Sequence, residues 1–120
     1  MGLYKDLIAF QKSYQLSMEI YLITRSFPSE EQFGITSQIR RSSRSVCANL
    51  AEAYRRRCSI RHFKSKLSDA EAENIETEIW IEFSKDCKFL SKASYLRLIN
   101  LNDEVGKLIY YMIHNPEKFL

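Results

Sequence analysis

The chain has 120 residues, with 18 lysines and arginines against 15 aspartates and glutamates and a formal net charge of +3. At 45% hydrophobic residues it has enough apolar side chain for one core, which excludes global disorder and points to a single domain over residues 1–120. No run approaches the roughly 20 apolar residues of a membrane span. The three cysteines, Cys47, Cys58 and Cys87, have no zinc-like spacing.

Free, reduced thiols in a cytoplasmic protein are the simplest reading of that odd cysteine count, with a disulfide or metal role as the alternative. The opening MGLYKD lacks a signal-peptide core, and Asp6 stands where a myristoylation signal needs Ser or Thr. Both observations predict a cytoplasmic chain. Only three Gly and two Pro occur, as expected of long helices with few tight turns.

In chain order, the first helix is predicted over Leu3 to Arg25. Leu3, Leu7, Phe10, Tyr14, Ser17 and Tyr21 recur at steps of three and four, and Ile8, Met18 and Leu22 widen the stripe. Pro28 disfavours helical geometry at Phe27 and ends it. The second helix is predicted from Thr36, as N-cap, to Arg57. Its apolar face is Ile39, Ser43, Val46, Leu50 and Tyr54. Arg40, Arg44 and Arg55 share a flank of that face, with Arg41 beside them and only Ala48 and Ala51 between. Gln38, Ser45, Asn49 and Glu52 line the far side.

Cys58-Ser59 reads as a break, with Ser59 capping a third helix to about Leu90. Its core stripe is Phe63, Leu67, Ala70, Asn74, Thr77 and Ile81. Asp69, Glu73 and Glu76 form an acidic line in its first half. In the second half Ile79, Trp80, Phe83 and Phe89 spread around the circumference, so this part is predicted to be buried on more than one side, in part by another subunit. Ser91 or Ser94 opens the last helix, Leu98, Leu101, Val105, Leu108 and Met112 mark its buried face, and Asn115-Pro116 closes it. No strand-like alternation stands out. Four helices with short loops predict an all-α, antiparallel up-down-up-down four-helix bundle, rod-shaped because 20 helical residues span about 30 Å.

Charge is unevenly placed. Thr36 to Lys66 carries nine basic residues and one acid, Glu52, a net of +8, whereas the remainder carries nine basic and fourteen acidic, −5. Arginine offers planar bidentate donors to phosphate. Arg55, Arg56, Arg57 and Arg61 have only Glu52 near in sequence and are the better nucleic-acid-binding candidates. For Arg40, Arg41 and Arg44 two fates are open: phosphate binding, or neutralisation of the flank by Asp69, Glu73 and Glu76 of the third helix. Tyr54 and Phe63 have the spacing of core residues rather than of base-stacking platforms. The acidic line also has a spacing compatible with Mg²⁺, the basis of a metal-dependent nucleotide hydrolase alternative. His62 and His114 complete no Glu-x-x-His ligand pair, and no Gly-rich phosphate loop or nucleophile elbow occurs, so no catalytic residue, metal or cofactor is predicted.

Tyr4-Lys5-Asp6-Leu7 with Gln11, Phe27-Pro28, Phe33-Gly34-Ile35-Thr36-Ser37-Gln38-Ile39-Arg40-Arg41 and Ser45 to Glu52 together resemble the four-helix-bundle family encoded in the intervening sequences of bacterial 23S rRNA genes. The likeness resumes at Glu76 to Phe83 and Asp86 to Leu90. It departs at Ala53, where many members have Gly, and at Ala72-Glu73, where many have Gly-Ser. The resemblance implies a ring-like homopentamer with a basic surface. One related branch, the accessory proteins of diversity-generating retroelements, is understood to bind nucleic acid and to partner with a reverse transcriptase. The expectation is therefore a non-enzymatic oligomer that binds RNA, DNA or a nucleic-acid-handling protein such as a reverse transcriptase, with Ile79, Trp80, Phe83 and Phe89 at the subunit interface. A structural interaction module with no nucleic-acid role is the runner-up.

Overall fold

In the computed structural model, which describes residues 2–120, the regular structure is four helices: α1 (Ile8–Thr24), α2 (Ile35–Arg55), α3 (Ile60–Asp86) and α4 (Lys92–His114). Single 3₁₀ turns stand at Tyr4–Asp6, Ser29–Glu31 and Pro116–Lys118. Side-chain contacts give the direction of each helix. Thr24 meets Arg40 while Ser17 meets Ser43, so α1 and α2 run antiparallel. Glu52 pairs with Lys66 and Ser42 with Thr77 across α2 and α3. Asn74 meets Asn102 and Glu82 meets Tyr95 across α3 and α4. Lys12 pairs with Glu104 and Glu19 with Arg97 between α1 and α4. The result is the up-down-up-down bundle, 44 × 24 × 20 Å, with α1 and α3 on one diagonal and α2 and α4 on the other.

The predicted α3 stripe of Phe63, Leu67, Ala70, Asn74, Thr77 and Ile81 is buried throughout. Its polar members are satisfied across the core, as buried polar groups must be. Thr77 Oγ1 donates to Ser42 Oγ at 2.8 Å, and Asn74 Nδ2 donates to Asn102 Oδ1 at 3.0 Å. Gly106 on α4 leaves room for this amide pair, because a Cβ there would come within 2.8 Å of Asn74 Oδ1.

The predicted α1 stripe holds only at Leu7, Ser17 and the core-flanking Phe10. Leu3, Ile8, Tyr14, Met18 and Leu22 are exposed, and the core takes Ala9, Ser13, Leu16, Ile20 and Thr24 instead, together with Leu7 and Ser17. Small side chains win at this seam because they let α1 approach the serines of α2; Ser17 and Ser43 lie 3.5 Å apart. The chain also leaves helical geometry at Leu7, so the helix starts at Ile8 rather than Leu3.

Three further helix ends differ from expectation. Thr36 is not the cap of α2 but a buried residue of its first turn; Gly34 holds the cap position, and Glu31 Oε1 accepts from the Ile35 N–H at 3.1 Å. α2 stops at Arg55 rather than Arg57. α3 stops at Asp86 rather than Leu90, because Lys88 turns into the left-handed region at φ 64° and the Phe89 N–H donates back to Ser84 O at 2.8 Å, the pattern of a Schellman closure. Ser59 and Ser91 do cap α3 and α4, accepting from the His62 and Ser94 N–H groups. On α4 the buried set is Leu98, Asn102, Val105, Ile109 and Met112, so Leu101 and Leu108 flank the core rather than fill it.

Candidate nucleic-acid interface

The basic end of the bundle is made by the turn from α2 to α3. Arg55 ends α2, where a cation suits the negative end of the helix dipole. Arg56 follows as C-cap, its N–H shared by the Glu52 and Ala53 carbonyls. Arg57 plays a structural part. Its Nη1 donates to Tyr54 O at 2.7 Å, and its guanidinium lies over the Tyr54 ring at 4.0 Å. Tyr54 is thereby half-buried under Arg57, and Phe63 is fully buried, so both serve packing as their spacing predicts.

Arg61 and Lys64 then occupy the start of α3, which has no acid in its first turn. Cations there oppose the positive end of the helix dipole and cost stability. An anion bound at this end would relieve that conflict. Arg55 and Arg56 line an open groove of about 750 Å³ with Tyr4, Ser59 and His62. Among the described residues, the acids of this face are paired with Arg41 and Lys66, and none meets Arg55, Arg56 or Arg61.

The acidic line does neutralise part of the arginine flank, and it does so through one residue of the three. Arg41, not Arg40 or Arg44, takes Glu73 at 2.9 Å and Glu76 at 2.7 Å, and Asp69 lies 3.9 Å from Lys66. Hydrogen bonding from Arg41 holds the Glu76 carboxyl below the usual glutamate range, and the Arg41 guanidinium is raised in turn by Glu73 and Glu76. Arg40 donates through Nε to Thr24 Oγ1 at 2.8 Å, with its guanidinium 4.8 Å from the Tyr21 ring centre; that of Arg44 is 6.0 Å from the same ring. The far-side strip is used locally: Gln38 accepts from Arg41, Asn49 donates to Ser45, and Glu52 pairs with Lys66.

Because the folded pKa of Glu76 is depressed, the Arg41 contact contributes stability above about 4.3, the unperturbed glutamate value. That contribution is lost as pH falls through the lowered value. Arg41→Ala is expected to cost about 1 kcal/mol at neutral pH, a modest figure because the pair is half-exposed. Urea unfolding from pH 7 to pH 2 should show the gap between variant and parent closing at acid pH.

The expected interface residues divide. Ile79 and Phe83 are exposed on α3 and share a ridge with Ile75. Trp80 is half-buried, its Nε1 donating to Glu76 Oε1 at 3.2 Å, and Phe89 is half-buried against Phe27 with ring centres 5.4 Å apart. Two further surface features lie outside the sequence-predicted sites. Phe33 is 89% exposed, and Tyr14, Met18 and Leu22 form an exposed strip on α1. The i, i+4 spacing of the strip is visible in the sequence, where it reads as part of the core. No helix among the described residues is long and apolar enough to cross a membrane. Cys47 is buried and Cys58 and Cys87 are exposed, all as free thiols.

Comparison with known proteins agrees with this architecture. The family model described as 23S rRNA-intervening sequence protein matches residues 5–111. Among solved structures, a protein of unknown function from the S23 ribosomal protein family of Bacteroides thetaiotaomicron is similar, with a TM-score of 0.81 and 30% identity over 92% of this chain and 98% of that one. No curated protein matches. With a bundle of the right topology and a family match over nearly the whole chain, this protein belongs to the family of 23S rRNA-intervening sequence proteins.

Proposed function

We propose that the chain is a non-enzymatic, cytoplasmic homo-oligomer that binds nucleic acid through phosphate contacts from Arg55, Arg56 and Arg61. The observation that carries this reading is three arginines without a carboxylate partner among the described residues at one end of the bundle, one of them set against its own helix dipole. Local rules broken at a cost to stability are characteristic of functional positions. Arg57 contributes less to binding than its neighbours because it is occupied in closing α2. Arg41 contributes least, since Glu73 and Glu76 hold it.

Phosphate contacts position a chain without reading bases, so sequence preference is weak. Repetition of the basic end once per subunit, in the ring of five that the family resemblance implies, lets modest contacts sum by multivalency. A nucleic-acid-handling enzyme such as a reverse transcriptase is the kind of partner this surface suits. The exposed α3 ridge favours a second reading, an interaction module alone.

Arg61→Glu separates the two. It should raise the melting temperature by matching the α3 dipole and, in the same protein, weaken binding to labelled RNA and DNA. A variant that is more stable but binds as before would leave the interaction module in front.

A further inference from the structure

We infer that the outer face of α2 is a track for single-stranded nucleic acid, with Phe33 as a base-stacking platform at one end. This rests on the reading that the chain binds nucleic acid, and adds which form it binds and the face that takes it. Ser37, Arg41, Arg44, Ala48, Ala51 and Arg55 recur at steps of three and four and so form one row along α2; none of them is buried. Two open grooves run over this row and meet at Ala48. One is the groove of the basic end, with Arg55, Arg56 and Tyr4. The other, of about 630 Å³, is lined by Phe33, Ser37, Arg40, Arg44 and Ser45. From Ser37 to Arg55 the helix rises about 27 Å, the length of roughly eight stacked nucleotides at about 3.4 Å each.

The chemistry along the track suits a sugar-phosphate chain. Serines and alanines floor it, so a strand can lie close to the helix. Cations edge it at both ends, and among the described residues neither Arg40 nor Arg44 meets a carboxylate. The acid beside the row, Glu52, is drawn aside to Lys66 at 3.5 Å, and Arg41 takes up Glu73 and Glu76. The charge left facing the groove is positive, and its complement is a polyanion.

Phe33 distinguishes a single strand from a duplex. A lone exposed aromatic is ordinary. This one is 89% exposed on the wall of a groove with three arginines. It also stands on a fixed turn. The Gly34 N–H donates to Glu31 O at 2.9 Å, and Glu31 Oε1 accepts from the Ile35 N–H. Gly34 makes room for that carboxylate, because a Cβ there would come within 2.5 Å of Oε1. A fixed ring beside cations offers its face to any unstacked base. Bases inside a duplex are covered by their neighbours and cannot use it. Tyr4, held against Phe10 at 5.0 Å between ring centres, walls the far end. A row recessed between two such walls does not enter a duplex major groove as a protruding helix does.

Fluorescence anisotropy with oligothymidylate, an abasic strand and a duplex, all of the same length, tests the track. The parent should prefer the oligothymidylate. Phe33→Ala should weaken binding of that probe roughly tenfold and leave the abasic strand and the duplex unchanged, with Phe33→Tyr close to the parent. Arg44→Gln should flatten the salt slope on both single strands by about 0.7 and leave the slope on duplex alone. Light scattering of Phe33→Ala should give the parent's mass; a changed mass would set Phe33 against a second copy of the chain and overturn the inference. A parent that prefers duplex, an equal loss on the abasic strand, or a duplex slope that falls with Arg44→Gln would do the same. Salt-sensitive binding of all three probes with no effect of Phe33→Ala refutes the track and leaves the basic-end reading standing, whereas a parent that binds none of them refutes both.

Discussion

Replacing Arg55, Arg56 and Arg61 together with glutamine is expected to weaken binding to nucleic acid by roughly 100- to 1,000-fold at about 0.1 M salt, whatever the sequence bound. Each phosphate contact on duplex releases about 0.9 of a condensed counterion, which near 0.1 M salt amounts to roughly tenfold in affinity. Three contacts multiply, and repetition around an oligomer amplifies the loss. Arg57 is left in place because it caps α2 and stacks on Tyr54, so its removal would mix a folding defect with a binding defect. The three substituted side chains are exposed and unpaired among the described residues, so secondary structure and oligomer mass should hold. Fluorescence anisotropy with two unrelated sequences measures the effect. A drop confined to one of them would mean base reading rather than phosphate contact.

Phe63→Ala is expected to have the largest effect on stability. The side chain has no solvent exposure and packs with Phe119 at 6.2 Å between ring centres, where the start of α3 is held against the C-terminal turn. Truncating a buried phenylalanine costs about 3–5 kcal/mol, through lost transfer energy and the cavity left behind. For a domain of this size that lowers the melting temperature by about 10–20 °C. Phe33→Ala is the matched control, the same substitution at the most exposed large apolar residue, and should move stability by less than about 0.5 kcal/mol. Calorimetry of both variants checks the pair.

The contrast between α3 and α1 explains how far the fold can be read from the sequence. On α3 the residues at core spacing include Asn74 and Thr77, and both are buried because each has a cross-helix partner. Spacing alone is enough there. On α1 two stripes compete, and the greasier one, through Tyr14, Met18 and Leu22, faces outward. The winning stripe sets Ala9, Ser13 and Ser17 among Leu16 and Ile20 because close approach to α2 needs small volume, and volume across a seam belongs to two helices at once. One helix read alone does not contain it.

The candidate site is legible to the same extent. The excess of arginine at the α2–α3 turn is a property of local sequence and is visible directly. Which arginine the acidic line claims is not, since Arg41 reaches Glu73 and Glu76 only through the facing of α2 on α3. Arg57's part as a cap depends on where α2 stops, and helix ends depend on partners outside the helix, as Glu31 shows at the other end.

The central claim is that the basic end binds phosphates and does so electrostatically. Its most direct test is the salt dependence of binding, for the parent and for the Arg55/Arg56/Arg61→Gln variant side by side. On duplex, log K against log salt should fall at roughly −0.9 per phosphate contact for the parent, with the slope shallower by about 2.7 in the variant. Tight binding that ignores salt, equal slopes for the two proteins, or no binding by the parent at low salt would contradict it.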